Sequence, residues 1–395
     1  MEAEPSPSET RDFSLVLGGP LYQLMVRSGL IRPPLNRVGR RILVLSGIAW
    51  LPLAVLTLLG GRFLGGVSVP FLQDFEVQCR LLLTLPLLIA AELVVNSRLS
   101  TIVAEFLARK IVTAEQKTKY QAILDAAMRL RNSVPVEAGM AVLVLGVGNL
   151  VWREAVSLHA DAWYASVTPG GTVYTPAGYW YAFVSVPVVQ FILLRWYFRL
   201  FIWCQYLWRV SRLDLRLIAT HPDRAGGLGF LSNLVFALAP ILLAHSVLMA
   251  GFIANRIFYQ GAKLPEFKLE IAAIAIFLNL LTLGPLVMFG GRLNRARLLG
   301  LRLYGRLANE YVQGFDQKWV SGRPPEGDAL LGSADIQSLA DLANSFQVVQ
   351  SMRTVPFGKE ALIQLNVIIA LPFLPLVLTM FPLEELIVRL FKVVL

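Results

Sequence analysis

The chain has 395 residues, 56% of them hydrophobic and 16% charged, and its 36 Lys+Arg outnumber its 26 Asp+Glu to give a net charge of +10. Soluble domains carry about 25% charged residues, so this balance, with a mean hydropathy of +0.61, points to a membrane protein. It excludes a disordered chain, a disulfide-rich secreted module and an ordinary water-soluble enzyme.

The opening MEAEPSPSET is acidic and Pro/Ser-rich, so no cleavable signal peptide is expected. The apolar stretch 13–26, broken by Gly18, Gly19 and Pro20, is expected to lie along the membrane interface. Seven runs then qualify, or nearly do, as spans of about 20 apolar residues. They are 42–60, 77–97, 135–152, 179–203, 234–254, 270–290 and 361–381. None alternates as a barrel strand does, so the predicted fold is all-α, a polytopic transmembrane helix bundle of about seven spans. Pro52, Pro86, Pro187, Pro240, Pro285, Pro372 and Pro375 fall within these runs, where neighbouring helices can re-satisfy the freed carbonyls.

The chain divides accordingly. An N-terminal segment with an interfacial helix (1–41) is followed by a first transmembrane hairpin (42–97) and a helical hairpin outside the membrane (98–133). A four-span core (134–290) holds an inner Gly-rich loop (209–233), and a helical segment (291–360) precedes the last span and a C-terminal helix (361–395). With the N-terminus inside, 28 of the 36 Lys and Arg fall on one side, which predicts a cytoplasmic N-terminus. The charge then faces anionic lipid headgroups and needs no nucleic-acid partner. Cys79 and Cys204 fall near opposite faces, so no disulfide between them is expected.

In the hairpin, Leu99, Ile102, Val103, Phe106 and Leu107 share one helical face, and Thr113 with Gln116 has the spacing of a capping box. Residues 292–313 are basic and amphipathic, and either extend the sixth span or lie on the membrane surface. SGRPPEG (321–327) breaks that helix. A second helix is predicted from Ser333, with Ile336, Leu339, Ala340, Ala343 and Phe346 on one side. The C-terminal LEELIVRLFKVVL (383–395) either continues the last span or lies flat.

Three places carry polar chemistry. In THPDRAGGLGFLSN (220–233), His221, Asp223 and Arg224 precede Gly226, Gly227 and Gly229 at a helix start. Such a loop can hold an anion or a lipid headgroup on backbone N–H groups, or it is a tight turn with a capping Asp and a snorkelling Arg. Within the spans, Glu92, Arg195 and Arg199 should face the bundle and pair, because each buried charge is expensive. Glu137 is an alternative partner for Arg199, and the network either lines a path or locks helices together. His245, in mid-span, either hydrogen-bonds a neighbouring helix or relays protons.

His159 and Asp161 lack a third metal ligand nearby, so no metal site is expected. No GxSxG, HExxH, Walker A, Rossmann or CxxC pattern occurs, so no cofactor is expected either.

HPDRAGGLGFL (221–231), LLGSADIQSLADLANSF (330–346) and MRTVPF (352–357) resemble stretches of a family of uncharacterised bacterial multi-pass membrane proteins. The resemblance implies a bacterial inner-membrane setting and supplies no mechanism. The expectation is movement or gating of a small solute or ion along Glu92, Arg195, Arg199 and His245. The alternative is a sensor or scaffold whose basic face docks a cytoplasmic protein partner or anionic lipid, and either could be oligomeric. An enzyme acting on headgroups through His221 and Asp223 ranks third, since no nucleophile accompanies them.

Overall fold

The computed structural model describes residues 13–32, 35–148, 162–168, 171–322 and 333–380. A short helix α1 (Pro20–Arg27) leads into α2 (Val38–Leu59), α3 (Phe75–Ala108), α4 (Lys117–Arg131) and α5 (Val134–Gly146). A hairpin of β1 (Ala165–Thr168) and β2 (Gly171–Tyr174) pairs antiparallel, with Ala165 opposite Tyr174. Then come α6 (Pro176–Ser211), α7 (Gly229–Gln260), α8 (Leu264–Val320), α9 (Ala334–Gln350) and α10 (Lys359–Met380).

The fold is an all-α bundle. Helices α2, α3, α6, α7, α8 and α10 are long and apolar enough to cross a membrane, which makes this a multi-pass membrane protein. The remaining expected span, 135–152, corresponds to the shorter apolar helix α5. Its residues 149–152 lie outside the described residues, as do His159, Asp161, most of SGRPPEG and the helix expected over 383–395.

Most of the internal prolines sit where the helix ladder is already altered. Proline lacks an N–H and crowds the carbonyl four residues back. A π-turn at Cys79–Thr84 precedes Pro86, and another at Tyr181–Ser185 precedes Pro187. Pro285 and Pro372 lie in 3-10 turns, Gly284–Phe289 and Leu371–Phe373. In α2, Pro52 frees the carbonyl of Ile48, and Trp180 Nε1 of α6 donates to that oxygen at 3.2 Å. The rescue by a neighbouring helix also fixes α2 against α6.

Helix α7 is the most buried of the spans and packs against α3, α8 and α10. The stretch 13–26 does not lie wholly at an interface. Phe13, Leu15 and Val16 are buried in the main core, with the Phe13 ring 5.5 Å from Tyr206 and 6.4 Å from Trp203, whereas α1 buries no residue. The short run is apolar enough to enter the bundle, and Ser14 supplies the polar bond there, donating to Asn96 Oδ1.

Helix α4 follows α3 and packs on α6, where the Tyr120 hydroxyl donates to the Val103 carbonyl at 2.8 Å and meets the Tyr206 hydroxyl at 2.8 Å. The expected capping box at Thr113 does not form. Its side chain makes no cap bond, a 3-10 turn (Ala114–Gln116) intervenes, and α4 begins at Lys117.

Residues 292–313 continue the sixth span within α8. The part Gly290–Phe315 has 26 residues, which at 1.5 Å each is about 40 Å. Helix α9 folds back antiparallel to it. Tyr311 Oη donates to the Asp335 carbonyl at 3.0 Å near one end, and Arg297 Nη2 donates to the Gln350 carbonyl at 3.2 Å near the other. Helix α9 starts after Ser333 as expected, and the Ser333 hydroxyl caps it by accepting from the Asp335 N–H at 3.1 Å. The apolar face predicted for α9 divides: Leu339 and Phe346 are half-buried, while Ile336, Ala340 and Ala343 are exposed, and the residue that α9 buries is Val349, outside the predicted set.

Candidate functional site

The costliest groups in the bundle are its buried charges, and the structure brings four of the five predicted intramembrane polar residues, Glu92, Glu137, Arg195 and Arg199, together with Arg41, which closes the N-terminal segment 1–41 of the sequence analysis. Glu92 of α3 lies at the centre. Its Oε1 accepts from Arg199 Nη1 at 2.9 Å and from Arg195 Nη1 at 3.4 Å, both of α6, and its Oε2 pairs with Arg41 Nη1 of α2. Glu137 of α5 pairs with Arg195, not with Arg199, through Nε at 2.7 Å. The two arginines are one turn apart on α6, and Arg199 is held by Glu92 and stacked 4.7 Å over the Trp196 ring. None of the five charged residues is more than 8% exposed.

The N-terminal segment closes this network. The second Glu137 oxygen accepts from the Leu21 N–H at 2.7 Å, Arg195 Nη2 reaches the Gly18 carbonyl at 3.4 Å, and the Gly19 N–H donates to Asn132 Oδ1 at 3.0 Å. Gly19 has φ +89°, and a Cβ there would stand 3.2 Å from Glu137 Oε1. Glycine is therefore required both by the left-handed backbone and by the close approach. The cavity left between Arg41, Glu92, Arg195 and Arg199 is about 20 Å³, room for a single water-sized body. The network ties α2, α3, α5 and α6 together and does not frame a channel at this level.

Arg41 was legible in principle. It shares a helical face with the buried Ala49, Leu53 and Thr57 of α2, yet its place beside Arg40 reads as a loop charge. Ser14 and Asn96 carried no signal, since their roles depend on the N-terminal segment folding inward.

His245 is not part of this network. Its Nδ1 faces the Ile241 carbonyl at 2.7 Å and its Nε2 faces the Tyr197 hydroxyl at 2.6 Å. A carbonyl only accepts, so Nδ1 carries a proton, and in the neutral ring Tyr197 is then the donor to Nε2. The pair sits in a half-open cavity of about 580 Å³ between α3, α5, α6, α7 and α8. Its walls are apolar, including Val189, Leu194, Leu248, Phe252 and Ile274, and Glu76 and Arg80 close one end. Arg80 bonds both Glu76 and the Tyr181 hydroxyl. Glu76 lies in the first turn of α3 and His245 is midway along α7, so the cavity runs from mid-bundle toward the face away from the basic helices.

The sequence reading missed this cavity because it is assembled from five helices. It also missed a polar knot beyond it, where buried Asp74 caps α3 by accepting from the Val77 N–H at 3.1 Å and takes bonds from Trp163 Nε1 and Asn255 Nδ2, each at 2.8 Å.

The Gly-rich loop is organised around its own anion. Asp223 Oδ1 accepts from the N–H of Ala225 at 2.8 Å and of Gly227 at 3.2 Å, and Oδ2 accepts from Gly229 at 2.8 Å. His221 Nδ1 lies 2.9 Å from Oδ1. The amides that an incoming phosphate would use are thus held by the Asp223 carboxylate. Burial opposes the charge on Asp223, but these backbone bonds and His221 hold its carboxyl below the usual range. Arg224 is exposed with φ +54°, whereas Gly226 (φ +63°) and Gly227 (φ +98°) are buried.

Segments 221–231 and 352–357 meet here. The Arg353 N–H donates to the Arg224 carbonyl at 2.7 Å, Arg353 Nη2 donates to the Asp223 carbonyl at 2.8 Å, and Met352 packs on Gly226. Among the described residues no group of three or more His, Cys, Asp or Glu could hold a metal ion. In comparisons with known proteins, no family model, no curated protein and no solved structure matches the chain.

Proposed function

We propose that this multi-pass protein resides in a bacterial inner membrane with its basic face in the cytoplasm, and that it binds a lipophilic small molecule taken from the bilayer. The ligand class is an amphiphile with an apolar tail and one hydrogen-bonding head, seated against Tyr197 and His245. The observation that carries the reading is the half-open, largely apolar cavity of about 580 Å³ with the His245–Tyr197 pair on its wall, Gln190 beside it and Glu76 and Arg80 at one end. Its volume is that of an ordinary small-molecule site. An opening between spans meets acyl chains, so a ligand enters sideways. The orientation rests on the asymmetry of Lys and Arg, 25 of 33 in segments on one side once the buried Arg41, Arg195 and Arg199 are set apart, and the setting rests on the resemblance of 221–231, 330–346 and 352–357.

This reading replaces a water-filled path for a polar solute. Such a path would join His245 to Glu92 and Arg195, whereas the cavity at His245 includes neither residue and the cavity at Glu92 is water-sized. The test is the tailed lipid retained by the full chain purified in mild detergent, quantified by mass spectrometry for the wild type and for Leu194→Trp, which fills the cavity. Retention near one molecule per chain, lost in the variant, is expected. Equal retention by both would refute the site.

A second reading, docking of a cytoplasmic protein on the α8–α9 hairpin, is favoured by the exposure of Leu299, Leu303 and Ile336 there. It predicts a stoichiometric partner that is lost on deletion of 321–357.

A further inference from the structure

The network at Glu92 is closed in space but not in charge. Arg41, Arg195 and Arg199 face only Glu92 and Glu137, so the buried cluster carries one uncompensated positive charge. Arg131 adds a further cation at its edge, where it bonds the Ser14 carbonyl. Arginine stays protonated in proteins, so the excess is not relieved by loss of a proton. An unbalanced charge at this depth is costly.

Hydrogen bonding is also incomplete. Arg41 Nε and Nη2 and Arg199 Nη2 are buried and have no partner among the described residues, and the two residues are only 1% and 4% exposed. Both line the same cavity of about 20 Å³, with Glu92, Arg195 and apolar walls from Leu21, Leu45 and Ile192. The carboxylate in that wall already takes three guanidinium groups, so it leaves the remaining N–H groups to something else.

We propose that this cavity holds one monatomic monovalent anion, a halide such as chloride, occluded between Arg41 and Arg199. A water molecule would accept the free N–H bonds but leave the charge. Phosphate, sulfate and carboxylates are too large for a space that fits one water-sized body. A halide fits, accepts from several N–H donors at once and brings the cluster to neutrality. Its role is structural: it completes the lock that joins α2, α3, α5, α6 and the N-terminal segment. The site is separate from the cavity at His245, so either assignment can fail without the other.

The experiment uses the full chain in nanodiscs at fixed pH and ionic strength, with sodium gluconate exchanged stepwise for sodium chloride. Thermal unfolding should show a saturable upward shift on the order of 2 °C or more, and Arg199→Met, which removes the excess charge, should abolish the dependence. Equilibrium gel filtration in radiolabelled chloride provides a readout that needs no variant, with binding near one ion per chain expected. A midpoint that is the same in gluconate and chloride, together with no retained chloride, would overturn the proposal and leave water in the cavity.

Discussion

Replacing Glu92 with Ala removes the carboxylate that serves three guanidinium groups. Arg41 and Arg199 then lose the only acidic partner they have among the described residues, while Arg195 keeps Glu137 at 2.7 Å. Breaking one buried ion pair costs about 3–5 kcal/mol because it strands a charge, and here two cations are stranded where no residue of the network is more than 8% exposed. The expected loss is therefore at the upper end of that range, comparable with the whole stability of many domains, about 5–15 kcal/mol. Unfolding of the chain in bicelles, followed by denaturant titration, should show a collapse of the folded fraction for Glu92→Ala. The compensated triple variant Arg41→Met, Glu92→Leu, Arg199→Met should restore it, since apolar replacement of a whole buried network is close to neutral. A wild-type midpoint for Glu92→Ala, or a triple variant no better than the single one, would refute the view that these charges lock the helices.

Other perturbations follow from the same geometry. Asp223→Ala strands three loop amides, each worth about 1 kcal/mol as a hydrogen bond, so a loss of about 3 kcal/mol and faster proteolysis at 220–233 are expected. The Asp223 carboxyl is depressed below its ordinary value of 3.8 in the folded chain. Its contribution is therefore complete above that value and lost as pH falls through the lower folded one, and an acid titration of the unfolding midpoint should lose this transition in Asp223→Ala. Gly19→Ala meets both the left-handed φ of +89° and the Glu137 oxygen, a strain of about 1–3 kcal/mol, and should release the N-terminal segment to limited proteolysis. Tyr197→Phe removes a hydroxyl from the cavity wall, and since one hydrogen bond to the ligand head is worth about 1 kcal/mol, lipid retention should fall about fivefold.

The spans were legible because each buries its own backbone bonds and needs only an apolar run of sufficient length. Pairing of Glu92 with Arg195 and Arg199 was legible for a similar reason, since an intramembrane charge has few ways to be satisfied. The choice of Glu137 for Arg195 was not, because one helical turn decides it and helix rotation is a tertiary property. Arg41 was hidden by its neighbour Arg40, although only its own position falls on the buried stripe of α2. In the Gly-rich loop, Asp223 as a local acceptor was readable from its spacing to the glycines. The docking of Arg353 on the Asp223 and Arg224 carbonyls depends on α8 and α9 returning the chain to the loop, which no local pattern encodes. The cavity at His245 has walls from five helices and no sequence signature beyond a histidine in an apolar run.

A lipophilic ligand can reach Tyr197 and His245 sideways only if their cavity opens to the bilayer and not to water. The most direct measurement is collisional access of a nitroxide placed at Leu194→Cys on the cavity wall, with Cys79 and Cys204 replaced by Ala, in lipid nanodiscs. The account predicts strong relaxation by lipid-soluble oxygen and weak relaxation by a water-soluble nickel chelate. Strong relaxation by the chelate would contradict it and would return a hydrated passage for polar solutes to the centre of the protein's function.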